Sequence, residues 1–232
     1  MLSENYLKLH KLDDIVEILC KPEIEVVSFD LFDTLITRPL EDSTDIFELL
    51  DRDFSKASDA AVSFKSLRLG AEELLRRRII RGEIDEEDIT LTTVYETLKE
   101  EYSIDPELAE KLKTEETLLE VRLSNVRASG KCLWDKAISL GKRVVVSSDM
   151  YLEKEILKLI LEKNGYTGYE DIFVSSDIGK RKITGNLYLH VLDALDVRPD
   201  QMIHIGDNLK YDVEKPAELG IVSVWLPSAI YA

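Results

Sequence analysis

The chain is 232 residues long and 44% hydrophobic, with few glycines and prolines, so a disordered chain is excluded; one large domain, or a core with a smaller insertion, fits that length. Its formal net charge is −16. A surface that acidic repels nucleic acid and anionic membranes, so neither is expected as a partner, and any phosphorylated ligand must be held by local donors.

In chain order, the N-terminal MLSENYLKLH lacks the basic-then-apolar layout of a signal peptide. From Ser3 to Cys20 the spacing is helical, with Leu7, Leu12, Ile15, Val16 and Leu19 on one face. After Pro22, the apolar run Ile24 to Phe29 predicts a buried strand. Between Asp42 and Val126 no strand is expected. Four helices are, at Asp45–Leu50, Ala60–Arg81, Leu91–Tyr102 and Pro106–Val126, the last with a proline suited to a first helical turn. Beyond them, Lys142–Ser147, Asp171–Val174, Met202–Gly206 and Ile221–Leu226 predict strands, separated by helices at Glu153–Lys163, Leu187–Leu195 and Val213–Leu219. Strands alternating with helices indicate parallel βαβ units. The expected fold class is therefore α/β, a doubly wound parallel sheet with an all-helical block inserted after its first strand. Cys20 and Cys132 are far apart and lack metal-ligand spacing, which fits thiols in a reducing compartment. No run approaches the ~20 apolar residues of a membrane span. A cytoplasmic location is expected.

Ligands of doubly wound sheets bind at the carboxyl ends of the strands. Here the first strand runs into Asp30-Leu31-Phe32-Asp33-Thr34-Leu35, the second ends in Ser147-Ser148-Asp149, Lys180-Arg181-Lys182 follows the third, and the fourth ends in Gly206-Asp207-Asn208, with Asp212 shortly after. Carboxylates gathered in one crevice repel one another, a conflict that a hard divalent cation such as Mg²⁺ removes. A lysine and a hydroxyl would bind phosphoryl oxygens, and a carboxylate could attack phosphorus to give an aspartyl phosphate that water hydrolyses.

These four segments resemble, in order, the four motifs of the haloacid dehalogenase (HAD) superfamily: FDLFDTL, the strand ending at Ser148, Lys182 in Lys-Ile-Thr-Gly, and GDNLKYD. The resemblance covers about Ile24–Thr37 and Gly141–Leu226. It implies a Rossmann-like core formed by residues 1–38 and 128–232, and a type 1 helical cap at 39–127. FDLFDTL with SSDMYL is also similar to a subgroup of predicted hydrolases. The implied activity is Mg²⁺-dependent hydrolysis of a small phosphorylated metabolite by a monomer or homodimer.

By that resemblance Asp30 is the nucleophile and a metal ligand, Phe32 offers its backbone carbonyl to the metal, and Asp207 is the second side-chain ligand. Asp212 stands behind them, ordering metal-bound water or Lys182; the alternative for it is an N-cap. Ser148 is preferred to Ser147, and Lys182 to Lys180, for the phosphate. Thr34 and Asp149 are assigned to the substrate site. Arg68, from the helical block, is the candidate to reach down to it, against the commoner solvated arginine. His204 is read as a core histidine, Arg76-Arg77-Arg78 as an exposed face, and Trp134 and Trp225 as packing. The pattern departs from the phosphatases at Phe32, where they carry an acid/base aspartate; here the aspartate comes one residue later, at Asp33. Loss of such a group costs ~10²–10⁴-fold in rate. Two consequences are open: Asp33 substitutes, or the substrate carries a good leaving group. Two alternatives stay open: a metal-independent 2-haloacid dehalogenase-like hydrolase, and a non-catalytic binding or regulatory protein.

Overall fold

The computed structural model describes residues 6–7, 12–57 and 62–228. Its main sheet has six strands in the order β1 (Tyr6–Leu7), β8 (Val222–Trp225), β7 (Met202–Gly206), β2 (Val26–Phe29), β5 (Arg143–Ser148) and β6 (Asp171–Val174). Every pairing in it is parallel. The order reverses at β2, which lies between β7 and β5, so the crevice above β2 is the switch point where such sheets take their ligands.

Period-2 alternation sends the strand residues to two faces. Val27, Phe29, Val144, Val146, Ile172, Val174, Ile203 and Ile205 pack with residues of α1 (Leu12–Leu19), α6 (Ala128–Ser139) and α7 (Lys154–Lys163). Val26, Val145, Phe173 and Met202 pack with α9 (Asn186–Leu195). Burial on both faces is why these strands read as continuous apolar runs. On the α9 face the alternation also buries the polar side chains of Ser28, Ser147, His204 and Ser223.

The helical insertion leaves and re-enters through a two-stranded antiparallel ribbon, β3 (Ile36–Thr37) with β4 (Asn125–Val126). Between them lie a 3₁₀ turn at Ser43–Phe47, then α2 (Glu48–Ala57), α3 (Phe64–Ile80), α4 (Leu91–Tyr102) and α5 (Pro106–Leu123). Phe54, Phe64 and Tyr95 stack in series at its centre, with ring centroids 5.6 and 6.4 Å apart. Where the chain returns, α6 crosses the loop after β2 so closely that a Cβ on Gly130 would stand 2.2 Å from the Thr34 carbonyl oxygen. Only glycine permits that approach.

The fold class expected from sequence is the observed one, with local differences. Among the described residues the helical periodicity read from Ser3 is realised over Leu12–Leu19, while Tyr6–Leu7 is a strand pairing with β8, because main-chain bonding at a sheet edge outweighs a weak local pattern. Residues 8–11, with His10, and residues 58–61, with the expected helix start at Ala60, lie outside the described residues. The helix expected at Asp45–Leu50 is a 3₁₀ turn fixed by an Asp42/Asp45 capping box and runs on as α2 to Ala57. The helix from Pro106 stops at Leu123; Asn125–Val126 is drawn into the ribbon, so the stretch held to be strandless does contain one. Helix α6 went unread; Arg127 provides no side-chain cap and Gly130 breaks the pattern. Among the described residues no helix is long and apolar enough to cross a membrane.

Candidate active site at the strand ends

Asp30 follows β2 directly, and its amide still bonds to the Ile205 carbonyl, so the rigid ladder fixes its carboxylate. Lys182 Nζ is 2.6 Å from Asp30 Oδ1 and 2.7 Å from Asp212 Oδ1. Asp30, Asp207 and Asp212 offer carboxylate oxygens that all lie within 4.8 Å of one another. Asp212 folds back onto the end of β7, where a Cβ on Gly206 would lie 2.4 Å from Asp212 Cβ. The turn that brings it there is π-helical, Leu209–Glu214, and its cap is Asn208, whose side chain accepts from Lys210 N and Tyr211 N. The N-cap alternative for Asp212 therefore fails.

Protein groups converge on Asp212. Oδ1 accepts from Lys182 and lies 3.2 Å from His204 Nε2; Oδ2 accepts from the Asn208 amide at 3.0 Å. Burial opposes its charge, but Lys182 and His204 outweigh that and hold its pKa below the ordinary carboxylate range. Burial also opposes the Lys182 ammonium, yet Asp212 and Asp30 raise its pKa above the usual lysine value. Asp30 and Asp207 behave oppositely. Burial pushes Asp30 up to about 8 against the pull of Lys182. Burial, with Asp212 and Asp33 nearby, pushes Asp207 up to about 7. Three carboxylates around one ammonium would, when all are ionised, carry two negative charges in excess, a donor set of hard oxygens that fits one divalent cation.

Ser148 ends β5 and is buried; Ser147 turns to the other face and bonds to Ser28 Oγ at 2.9 Å, the core position expected of it. Phe32 is half-buried with the Arg38 guanidinium 4.6 Å from its ring centroid. Asp33 takes the left-handed conformation, φ 57°, which aspartate tolerates better than most residues. Its charge is felt by Asp207 and by Arg127. The Thr34 hydroxyl is fully buried, with no hydrogen-bond partner among the described residues.

A family model described as haloacid dehalogenase-like hydrolase matches residues 24–220. The chain belongs to that family. Solved structures of similar fold include a haloacid dehalogenase-like family hydrolase from Xanthomonas campestris (22% identity, 89% of this chain and 83% of that one, TM-score 0.58). The HAD-hydrolase YfnB from Bacillus subtilis, bound to magnesium, is 17% identical over 88% of each chain (TM-score 0.58). A 2-haloacid dehalogenase from Pseudomonas syringae pv. Tomato is 17% identical over 87% of this chain and 86% of that one (TM-score 0.60). No curated protein matches the chain by sequence.

One expected substrate contact is corrected by the geometry of this HAD-like chain. Arg68 is neither solvated nor open to a ligand: it is 0% exposed, bound through Nε and Nη2 to Glu116 at 3.1 and 2.9 Å, and lies over the rings of Phe47 and Tyr151. Asp149 accepts from the Lys182 amide at 2.9 Å and so anchors the lysine's backbone. Arg76 is also drawn off the exposed face, 3.1 Å from buried Asp88.

Several contributors escaped the sequence. Arg127, just before α6, donates to the Asp33 and Pro227 carbonyls and ties the loop after β2 to the chain after β8. Trp225, read as packing, donates Nε1–H to the Asp207 carbonyl at 2.8 Å. His204 is a core histidine as expected, but it also joins the site. Burial lowers its pKa, so it is neutral; Ser28 Oγ donates to Nδ1 and Nε2–H points to Asp212. A polar residue inside an apolar strand pattern was the signal for His204; nothing local marks Arg127.

Proposed function

We propose that this chain is a Mg²⁺-dependent phosphohydrolase that acts on a small phosphorylated metabolite through an aspartyl phosphate at Asp30. The observation that carries the reading is the charge imbalance at the strand ends, two carboxylates beyond what Lys182 balances. Asp30, Asp207 and the Phe32 carbonyl would hold the ion, with Asp212 behind them. When bound, the ion supplies the positive charge that keeps Asp30 and Asp207 ionised and neutralises phosphoryl oxygens.

In this reading Lys182 and Ser148 bind the phosphoryl oxygens and orient phosphorus toward Asp30. An Asp30 carboxylate oxygen forms the new bond to phosphorus as the bond to the leaving oxygen breaks. Water then attacks the acyl phosphate, releasing inorganic phosphate and restoring the Asp30 carboxylate. The insertion, residues 39–127, serves as the cap that excludes water from the first step. Phe32 carries no proton for the leaving oxygen, so acyl phosphates should turn over ~10²–10⁴-fold faster than alkyl phosphates. Cytoplasmic location and a monomeric or homodimeric state complete the proposal.

The Phe32 side chain, together with a fold shared with haloacid dehalogenases, favours a second reading in which Asp30 displaces halide from carbon without metal. Phosphate and halide release, measured with Mg²⁺, with chelator and in Asp30→Asn, separates the two. Magnesium-dependent phosphate release lost in the variant supports the first. Chelator-resistant halide release supports the second. Neither activity in any arm leaves the non-catalytic reading.

A further inference from the structure

The loop between α3 and α4, residues 81–90, is the part of the insertion that meets the lysine-bearing loop of the core. Glu87 is its contact point. One carboxylate oxygen accepts from the Arg181 amide at 2.8 Å and from Thr184 Oγ1 at 2.6 Å; the other accepts from Asn186 Nδ2. The Glu87 amide donates to the Gly179 carbonyl at 3.0 Å. Burial disfavours its charge, but these donors outweigh it and lower its pKa, so the carboxylate is ionised. Four bonds from one residue thus span Gly179 to Asn186, with Lys182 in the middle.

Lys182 is therefore held by two carboxylates at successive amides. Glu87 of the insertion fixes Arg181 N, and Asp149 of the core fixes Lys182 N. Asp88, next to Glu87 and itself buried, accepts from Ser175 Oγ at 2.5 Å, and Ser175 Oγ in turn accepts from the Met150 amide at 2.9 Å. Leu91 N donates to the Tyr151 carbonyl at 2.8 Å. The same stretch of the insertion thereby grips the loops after both β5 and β6.

We propose that Glu87 is a positioning residue for Lys182, so that seating of the insertion on the core and placement of the lysine beside Asp30 and Asp212 are one event. In its consequence for turnover this rests on the phosphohydrolase reading; in its consequence for the loop it does not. Without the Glu87 carboxylate the segment from Arg181 to Asn186 loses three of the bonds that reach it from the insertion, and Lys182 samples positions away from the crevice.

The test is amide hydrogen exchange on the full chain, comparing wild type, Glu87→Gln, Glu87→Ala, Thr184→Val and the exposed control Glu83→Gln, with turnover of acetyl phosphate in Mg²⁺ alongside. Exchange across 179–187 should speed up by about tenfold or more in Glu87→Ala, less in Glu87→Gln and Thr184→Val, and not in the control, while strand β5 stays protected. In turnover, kcat should fall with KM little changed in the Glu87 variants, and Glu87→Gln should retain more activity than Glu87→Ala. Unchanged exchange at 179–187 overturns the proposal. So does acceleration spread evenly over the sheet, which would mark Glu87 as a general stability residue. If no variant and not even wild type releases phosphate, the functional reading fails while the exchange data still decide the role of Glu87.

Discussion

Two groups of buried charge in this molecule are built from the same kinds of side chain and end in opposite states. Inside the insertion, Arg68 meets Glu116 through two nitrogens, Tyr95 OH donates to the same carboxylate at 2.8 Å, and Arg38 meets Glu120 at 3.1 Å. Each carboxylate here has an arginine partner, Glu72 meeting both Arg68 and Arg76, although burial still raises the pKa of Glu120. At the strand ends Asp30, Asp207 and Asp212 gather around Lys182, and burial together with their mutual repulsion raises two carboxyl pKa values. A closed cluster holds structure together; an open one is a place where a ligand's charge completes the set.

The sharpest way to break this contrast is to neutralise one member of each. Asp30→Asn should lower phosphate release by at least about 10⁴-fold, as loss of a nucleophile does, while the urea midpoint of the metal-free protein stays the same or rises. A variant that unfolds instead would show that Asp30 belongs to a closed cluster after all. Arg68→Met should act in the other sense, destabilising by about 3–5 kcal/mol because Glu116 is left buried without its partner. Combining it with Glu116→Leu should recover most of that loss in the same urea titration.

pH sharpens the comparison next. In the metal-free protein, Asp30 (about 8) and Asp207 (about 7) keep protons that the unfolded chain releases near its ordinary carboxyl pKa. The folded state binds more protons over that window, so the stability they contribute is complete at acid pH and is lost as pH rises through 7 to 8. The limiting slope is about −1.4 kcal/mol per pH unit for each proton. Asp212, held low, contributes the opposite sign, losing stability as pH falls below its ordinary range. Urea midpoints at about pH 5 and about pH 9 in chelator should show the fall, and Mg²⁺ should abolish it. Persistence of the fall in Asp30→Asn/Asp207→Asn would place its origin elsewhere. The smallest effect is expected at His204→Gln, where one hydrogen bond to Asp212 is weakened: roughly 1 kcal/mol in stability and a fall in kcat of up to about tenfold.

The five main apolar strands, the alternation after Ile24, and the motifs carrying Asp30, Ser148, Lys182 and Asp207 were legible because they rest on local patterning and on short spacings within single strand–loop units. The chain by itself thereby determined an α/β sheet with a helical insertion and a crevice gathering carboxylates and a lysine. Tertiary structure decided the rest. Tyr6–Leu7 became a strand only because β8 offered an edge. Arg68 was sealed by Glu116, 48 residues away, and Lys182 was set between Asp30 and Asp212 by Asp149 and Glu87 from two other elements. Each of those outcomes depends on partners brought together by strand order and by the path of the insertion. Residue type and periodicity carry no record of such partners, since a buried charge is fixed by what lies opposite it in space.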